Sequence, residues 1–214
     1  AVVLTDQAQV YSLGLSKAFS EAFVKNGGKV LKEIKVSSGD KDFKAVVSQV
    51  KTLNPDMIFL PIYHGEASMI TRQAKQIGLN KPFLSGDSVA NPTFVELGGD
   101  SVEGHMFTDF FDHSAPPTQR SKDVIAAYEQ KTGKKEVNSF VTLGADTYNV
   151  LIDAINRCSN VEDTVCINDE IKKTTNFEGV SGFISIDKNG TATRSAVIKE
   201  IKNGKAVYKS TVNP

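Results

Sequence analysis

The 214 residues carry 25 basic and 25 acidic side chains, and 40% hydrophobic with 23% charged content is the composition of an ordinary folded protein. That balance, with no Lys/Arg stripe interleaved with aromatics, argues against a nucleic-acid surface and favours a neutral or zwitterionic small molecule as partner. No apolar run nears the roughly 20 residues of a membrane helix.

In chain order, Ala1 to Leu4 reads as a buried parallel strand, Thr5 to Val10 as a polar loop, and Leu15, Phe19, Ala22 and Phe23 as a helical stripe stopped by Gly27 and Gly28. A fold entered so abruptly, with no charged-then-apolar leader, is expected of a piece of something larger; if the parent is exported, its signal has already been removed along with other sequence. KVLKEIKVSS reads as the next strand, Phe43 to Leu53 as a helix ended by Asn54-Pro55, MIFLPI as a strand, and Glu66 to Ile77 as a helix stopped by Gly78. PFLSG is a short strand, Asn91-Pro92 an N-cap with proline at the first helical position, and HMFTDF a further strand. Strands alternating with helices in this way give an α/β fold with a doubly wound, mainly parallel sheet over residues 1–110.

At FFDHSAPPTQR the pattern changes, because Pro116-Pro117 forbids a helix. Helices are expected near 118–132, 140–157 and 167–174 with no strand between them. From GFISI to the end, the turns Asn189-Gly190 and Asn203-Gly204 predict three antiparallel strands joined by two hairpins. Helices 118–174 carry apolar faces, including Tyr148, Leu151, Ile152 and Ile155, without a sheet of their own to cover. They are expected to belong to a lobe whose sheet is missing.

The spacing of Cys158 and Cys166 permits either a disulfide, which would persist only in an oxidising compartment, or two free thiols near a helix end. His64, His105 and His113 show no metal-ligand spacing, and no metal or cofactor is expected.

Three loops follow parallel strands and should meet at one edge of the sheet: Thr5 to Ser12, Ile62 to Glu66 and Ser85 to Asn91. They offer Tyr11, Ser12, Tyr63, His64, Glu66, Asp87 and Ser88. One carboxylate with two phenols suits a ligand bearing an ammonium group, held by Asp87 between tyrosine walls. Asp87 is equally readable as a turn residue after glycine. His64 with Asp87 or Glu66 has the residue types of an acid–base pair, but no nucleophile elbow, phosphate loop or dinucleotide fingerprint follows any strand, so no catalytic residue is assigned.

The runs TDQAQVYSLGLSKAF, GDKDFKAVVSQVKTLNPDMIFLPIYHGEASMITRQAKQIGL, FLSGDSVANP and FEGVSGFISIDKNGTATRSAVIKEIKNGK together resemble the type I periplasmic binding proteins, nearest to the leucine/isoleucine/valine-binding branch of ABC importers. The resemblance covers essentially the whole chain. It implies two α/β lobes joined by crossing segments, with an amino acid clamped between them. Residues 1–110 and 180–214 would form the C-terminal ligand-binding lobe, and 111–179 the crossing segments and helices of an N-terminal lobe whose first segment is missing. Tyr11 then matches the family's first-loop tyrosine, Tyr63 and His64 fall where an aromatic pair is common, Asp87 matches the acidic anchor of the α-ammonium with Ser88 beside it, and Phe140 matches a far-side pocket residue. His64 departs from the more usual tyrosine.

What the resemblance implies is a non-catalytic carrier, periplasmic or lipid-anchored outside the inner membrane. Its partners would be an amino acid, a membrane permease, and either the missing lobe segment or an oligomer. A ligand-sensing domain of a receptor, or an amide-responsive regulator, uses the same fold.

Overall fold

Val2–Asp6 forms strand β1 because its apolar, β-branched run buries side chains on both faces. The computed structural model describes all residues from Ala1 to Pro214. Helix α1 (Val10–Lys25), strand β2 (Lys32–Val36), helix α2 (Lys44–Leu53), strand β3 (Ile58–Phe59) and helix α3 (His64–Gln76) follow. Then come strand β4 (Phe83–Ser85), helix α4 (Pro92–Gly98) and strand β5 (Met106–Asp109).

The parallel pairs β1 with β2, β1 with β3, β3 with β4 and β4 with β5 place Leu4 opposite Ile34, Val3 opposite Phe59, and Ser85 opposite Phe107. Alternation along β1 and β3 sorts the two faces. Val2, Leu4, Ile58 and Leu60 join Phe43 and Val47 of the α2 segment, Ile70 of α3 and Phe94 of α4 in one core cluster. On the opposite face Phe19 of α1 stacks on Phe59 at 4.1 Å, and Thr5 Oγ1 donates to Ser16 Oγ at 2.8 Å. The sheet is therefore wound on both sides, as expected.

Boundaries differ from the sequence reading where backbone donors are missing or caps are unusual. MIFLPI yields only a two-residue strand; Leu60 N still bonds Leu84 O at 2.8 Å, but Pro61 has no N–H to extend the ladder. Helix α3 starts at His64 rather than Glu66, because extended Tyr63 (φ −64°, ψ 152°) serves as its N-cap. His64 is thus a first-turn helical residue, not a loop residue. Asn91 caps α4 as predicted, its Oδ1 accepting from Thr93 N at 2.9 Å.

Next come helices α5 (Gln119–Thr132), α6 (Ser139–Asn156) and α7 (Thr164–Lys172), then the short strands β6 (Phe177–Glu178), β7 (Phe183–Ile186) and β8 (Ala192–Thr193), which form a small antiparallel sheet. α7 starts earlier than predicted because Asp163 caps it, accepting from Val165 N and Cys166 N. Cys158 and Cys166 are disulfide-bonded, with Cα atoms 6.1 Å apart, and tie the end of α6 to the start of α7. Arg157 reinforces that corner through Asp153 and Glu170. On α6, Val141, Tyr148, Leu151 and Ile152 form an exposed apolar face; Tyr148 is 64% exposed.

Strands β9 (Ala196–Lys202) and β10 (Lys205–Val212) complete a seven-stranded sheet of order β10-β9-β5-β4-β3-β1-β2. Their turn uses Asn203 and Gly204, both at positive φ (53° and 69°), the primed turn that matches strand twist. The expected trio of C-terminal strands is thus divided: β7 and β8 join β6 in one sheet, whereas β9 and β10 join the large one.

The chain separates into two compact units, residues 1–108 with 198–209, and residues 109–197 with 210–214. The unit boundaries fall at 108 and 197 where the sequence reading expected 110 and 180, so residues 180–195 group with the helices, and of the stretch 180–197 only Ala196 and Val197 belong to the large sheet. The reason is polar. Asp146 of α6 accepts from Val180 N, Ser181 N and Ser181 Oγ, while Thr118 and Ser121 donate to the carbonyls of Gly179 and Val180. No helix is long and apolar enough to cross a membrane.

Candidate functional site

In the first unit the loops after β1, β3 and β4 meet at the carboxyl edge of the sheet. Tyr11, in the first turn of α1, donates its hydroxyl proton to Asp87 Oδ1 at 2.9 Å and accepts from Ser88 N at 3.2 Å. Its ring stacks on that of Tyr63 with centroids 5.3 Å apart. Ser88 Oγ donates to Ile62 O at 2.8 Å, which ties the β4 loop to the β3 loop. Tyr11, Tyr63, Asp87 and Ser88 are therefore one connected group.

Asp87 is partly buried and uses one oxygen for Tyr11; the other carries no hydrogen bond from the protein. Burial, joined by the neighbouring Asp87 charge, holds the Tyr11 phenol protonated well above its ordinary range. It is consequently a fixed neutral donor. Close approach dictates the residue between strand and anchor: a Cβ on Gly86 would collide with the Tyr11 hydroxyl and stand 2.9 Å from Leu15 Cδ1.

The remaining candidates lie apart from this group. His64 follows Tyr63 but makes no hydrogen bond to Asp87 or to Tyr11. Glu66 turns to the β2–α2 loop, where it accepts from Gly39 N at 3.0 Å. Ser12 is buried and accepts from Asp6 N at 2.8 Å, so its hydroxyl serves the β1 turn. Phe140 is 56% exposed in the first turn of α6 and belongs to the second unit. No cluster of three or more His, Cys, Asp or Glu side chains could hold a metal ion.

Two features escaped sequence reasoning. Val10 is 86% exposed, an apolar side chain at the first position of α1 next to Tyr11 in the chain; its place between a polar loop and a helix was the available signal. Asp6, closing β1, is buried and accepts from Ala8 N, Ser38 N and Ser38 Oγ, which braces the β1 loop against the β2 loop. An aspartate ending an apolar strand was the clue to it.

A doubly wound unit whose loop edge presents a carboxylate beside two stacked tyrosines has the arrangement in which open α/β sheets take up small ligands. The sequence profile described as "Periplasmic binding protein" matches residues 1–206, and the chain belongs to that family. The leucine binding protein LivK of Thermotoga maritima superposes with a TM-score of 0.93 at 41% identity, over 100% of this chain and 60% of that one. The branched-chain amino acid transporter substrate binding protein LivJ of Streptococcus pneumoniae, solved with isoleucine, gives 0.83 at 28% identity with the same coverage. Among curated sequences, the Leu/Ile/Val-binding protein homolog 3 of Brucella melitensis is 26% identical over 180 residues, 84% of this chain and 48% of its own length. The chain thus spans about half the length of such curated relatives.

Proposed function

We propose that these 214 residues belong to a non-catalytic substrate-binding component of an ABC importer that carries a branched-chain amino acid outside the inner membrane and presents it to a membrane permease. The observation that carries this reading is the free oxygen of Asp87, set beside a phenol that stays protonated and whose ring stacks on Tyr63. A carboxylate so placed takes an α-ammonium through a charge-assisted hydrogen bond, while tyrosine faces and Val10 supply apolar contact for an aliphatic side chain. No Lys or Arg belongs to the group, so it recognises the ammonium end of the ligand and not its carboxylate.

Relatives named for leucine, isoleucine and valine binding support the same ligand class, and the description of the Streptococcus pneumoniae LivJ as a transporter substrate binding protein supports the permease as partner. In such a carrier the ligand shifts a conformational equilibrium toward the form the permease recognises, through contacts made only in that form.

Isothermal titration with leucine, isoleucine, valine and deaminated leucine tests the proposal. Heat is expected from the three amino acids and none from the deaminated analogue. Equal binding of leucine and its deaminated analogue would overturn the assignment of Asp87.

A further inference from the structure

His105, the residue before β5, is 3% exposed, and its ring packs against Phe83 of β4 (centroids 5.7 Å apart, stacked) and edge-on to Phe94 of α4 (4.9 Å). Its Nε2 lies 2.8 Å from Ser85 Oγ, and its Nδ1 has no partner. Ser85 Oγ also lies 2.7 Å from Leu60 O. A hydroxyl owns one proton and can donate it once. Given to Leu60 O, it leaves Ser85 to accept from His105 Nε2–H, and the only orphan is the Nδ1 lone pair. Given to His105, it would leave a buried Nδ1–H without an acceptor, the costlier defect. The tautomer is therefore Nε2–H.

The chain from His105 through Ser85 to Leu60 O crosses three neighbouring strands, β5, β4 and β3. On β3 and β4 it does so where the loops depart, Leu60 preceding Tyr63 by three residues and Ser85 preceding Asp87 by two, while His105 enters from the amino end of β5. Ser88 Oγ to Ile62 O forms a second tie between the same loops. Ser85 and Ser88 thus bracket Asp87 and fix it against Tyr63 from two directions.

We infer that His105 is a positioning residue that acts through Ser85 to hold the Asp87 loop at the spacing the ligand's ammonium requires. Resting on the amino-acid reading of Asp87, this assignment adds a residue that touches no ligand. The side chains around the ring, Phe83, Ser85 and Phe94, carry no titratable group. Burial alone pushes the imidazole down to about 3, so it stays neutral over the working range.

NMR on the 214-residue chain tests this with wild type, His105→Phe and His105→Gln. The long-range proton–nitrogen spectrum of wild type is expected to show His105 as a neutral Nε2–H tautomer that does not titrate across about pH 8 to 5. In His105→Phe the Ser88 amide should exchange about tenfold faster while the Leu4 amide in β1 keeps its rate. His105→Gln, whose terminal amide offers a donor near the position of Nε2, should restore Ser88 to within about twofold of wild type.

An Nδ1–H tautomer, or Ser88 and Leu4 changing together as in a general loss of stability, would overturn the inference. If His105→Phe does not fold, Ser85→Ala removes the central hydroxyl and is read by the same two amides. Leucine affinity should fall about fivefold in His105→Phe and return in His105→Gln. A wild type that binds no amino acid but keeps the tautomer and the Ser88-specific exchange would refute the amino-acid reading and leave His105 as the holder of the loop.

Discussion

Asp87 and His105 are both ionisable residues near one sheet edge, but their surroundings give them opposite tasks. Asp87 uses one oxygen for Tyr11, and on the proposed function the hydrogen bond of the other to a cationic ligand would be worth roughly 1.5–3 kcal/mol. Asp87→Ala should therefore weaken leucine binding at least about tenfold by calorimetry. Tyr11→Phe, which keeps the stacked ring and loses the donor, should cost less. His105 is buried without its charge, so its folded-state pKa lies near 3, below the ordinary imidazole value. The unfolded chain binds a proton there before the folded one does. Stability from this residue is thus complete above about pH 6.5 and is lost progressively as pH falls toward 3, at up to about 1.4 kcal/mol per pH unit. Urea midpoints should decline over that window, and the decline should be shallower in His105→Gln. Asp87 was legible from its place after a strand and a glycine. The core role of His105 was not, because a histidine at a strand start looks the same in sequence whether two phenylalanines enclose it or water does.

At the scale of elements, the disulfide between α6 and α7 encloses a loop with a sequence separation of 8, for which the chain-entropy relation gives about 2–3 kcal/mol. The second unit should accordingly melt several degrees lower in Cys158→Ser/Cys166→Ser, measured by calorimetric scanning. Non-reduced material should be about two mass units lighter than reduced. Strand and helix order through residue 110 was readable because hydrophobic periodicity, Asn-Pro caps and Gly stops agreed with one another. The C-terminal strands were harder. Asn189-Gly190 and Asn203-Gly204 correctly announce turns, but a turn says nothing about which sheet its strands enter. That choice is made by Asp146, Thr118 and Ser121, which capture the backbone at 179–181 from more than thirty residues away. No local pattern encodes such a contact.

The molecule as a whole leaves apolar surface uncovered. Val141, Tyr148, Leu151 and Ile152 recur at helical spacing on α6, and faces of this kind drive association unless another chain segment lies on them. Size-exclusion chromatography of the 214 residues should show self-association that deepens with salt. Replacing Leu151 and Ile152 by Lys should return a monomer without loss of helix content by circular dichroism. A monodisperse monomer in the unmodified chain would contradict this expectation.

The large sheet also places β9 between β5 and β10, so the pairing and packing on that side of β5 depend on residues nearly a hundred positions downstream. Ile201 is 2% exposed within the core cluster, bonds His105 O through its N–H, and accepts from Gly104 N. A nascent chain on the ribosome can form β1 to β5 but has no occupant for that slot until Ile201 has emerged. A stop codon near position 195 should therefore yield a product cleared by proteases even though the Tyr11–Asp87 residues are all present, whereas a stop after Thr211 should be tolerated.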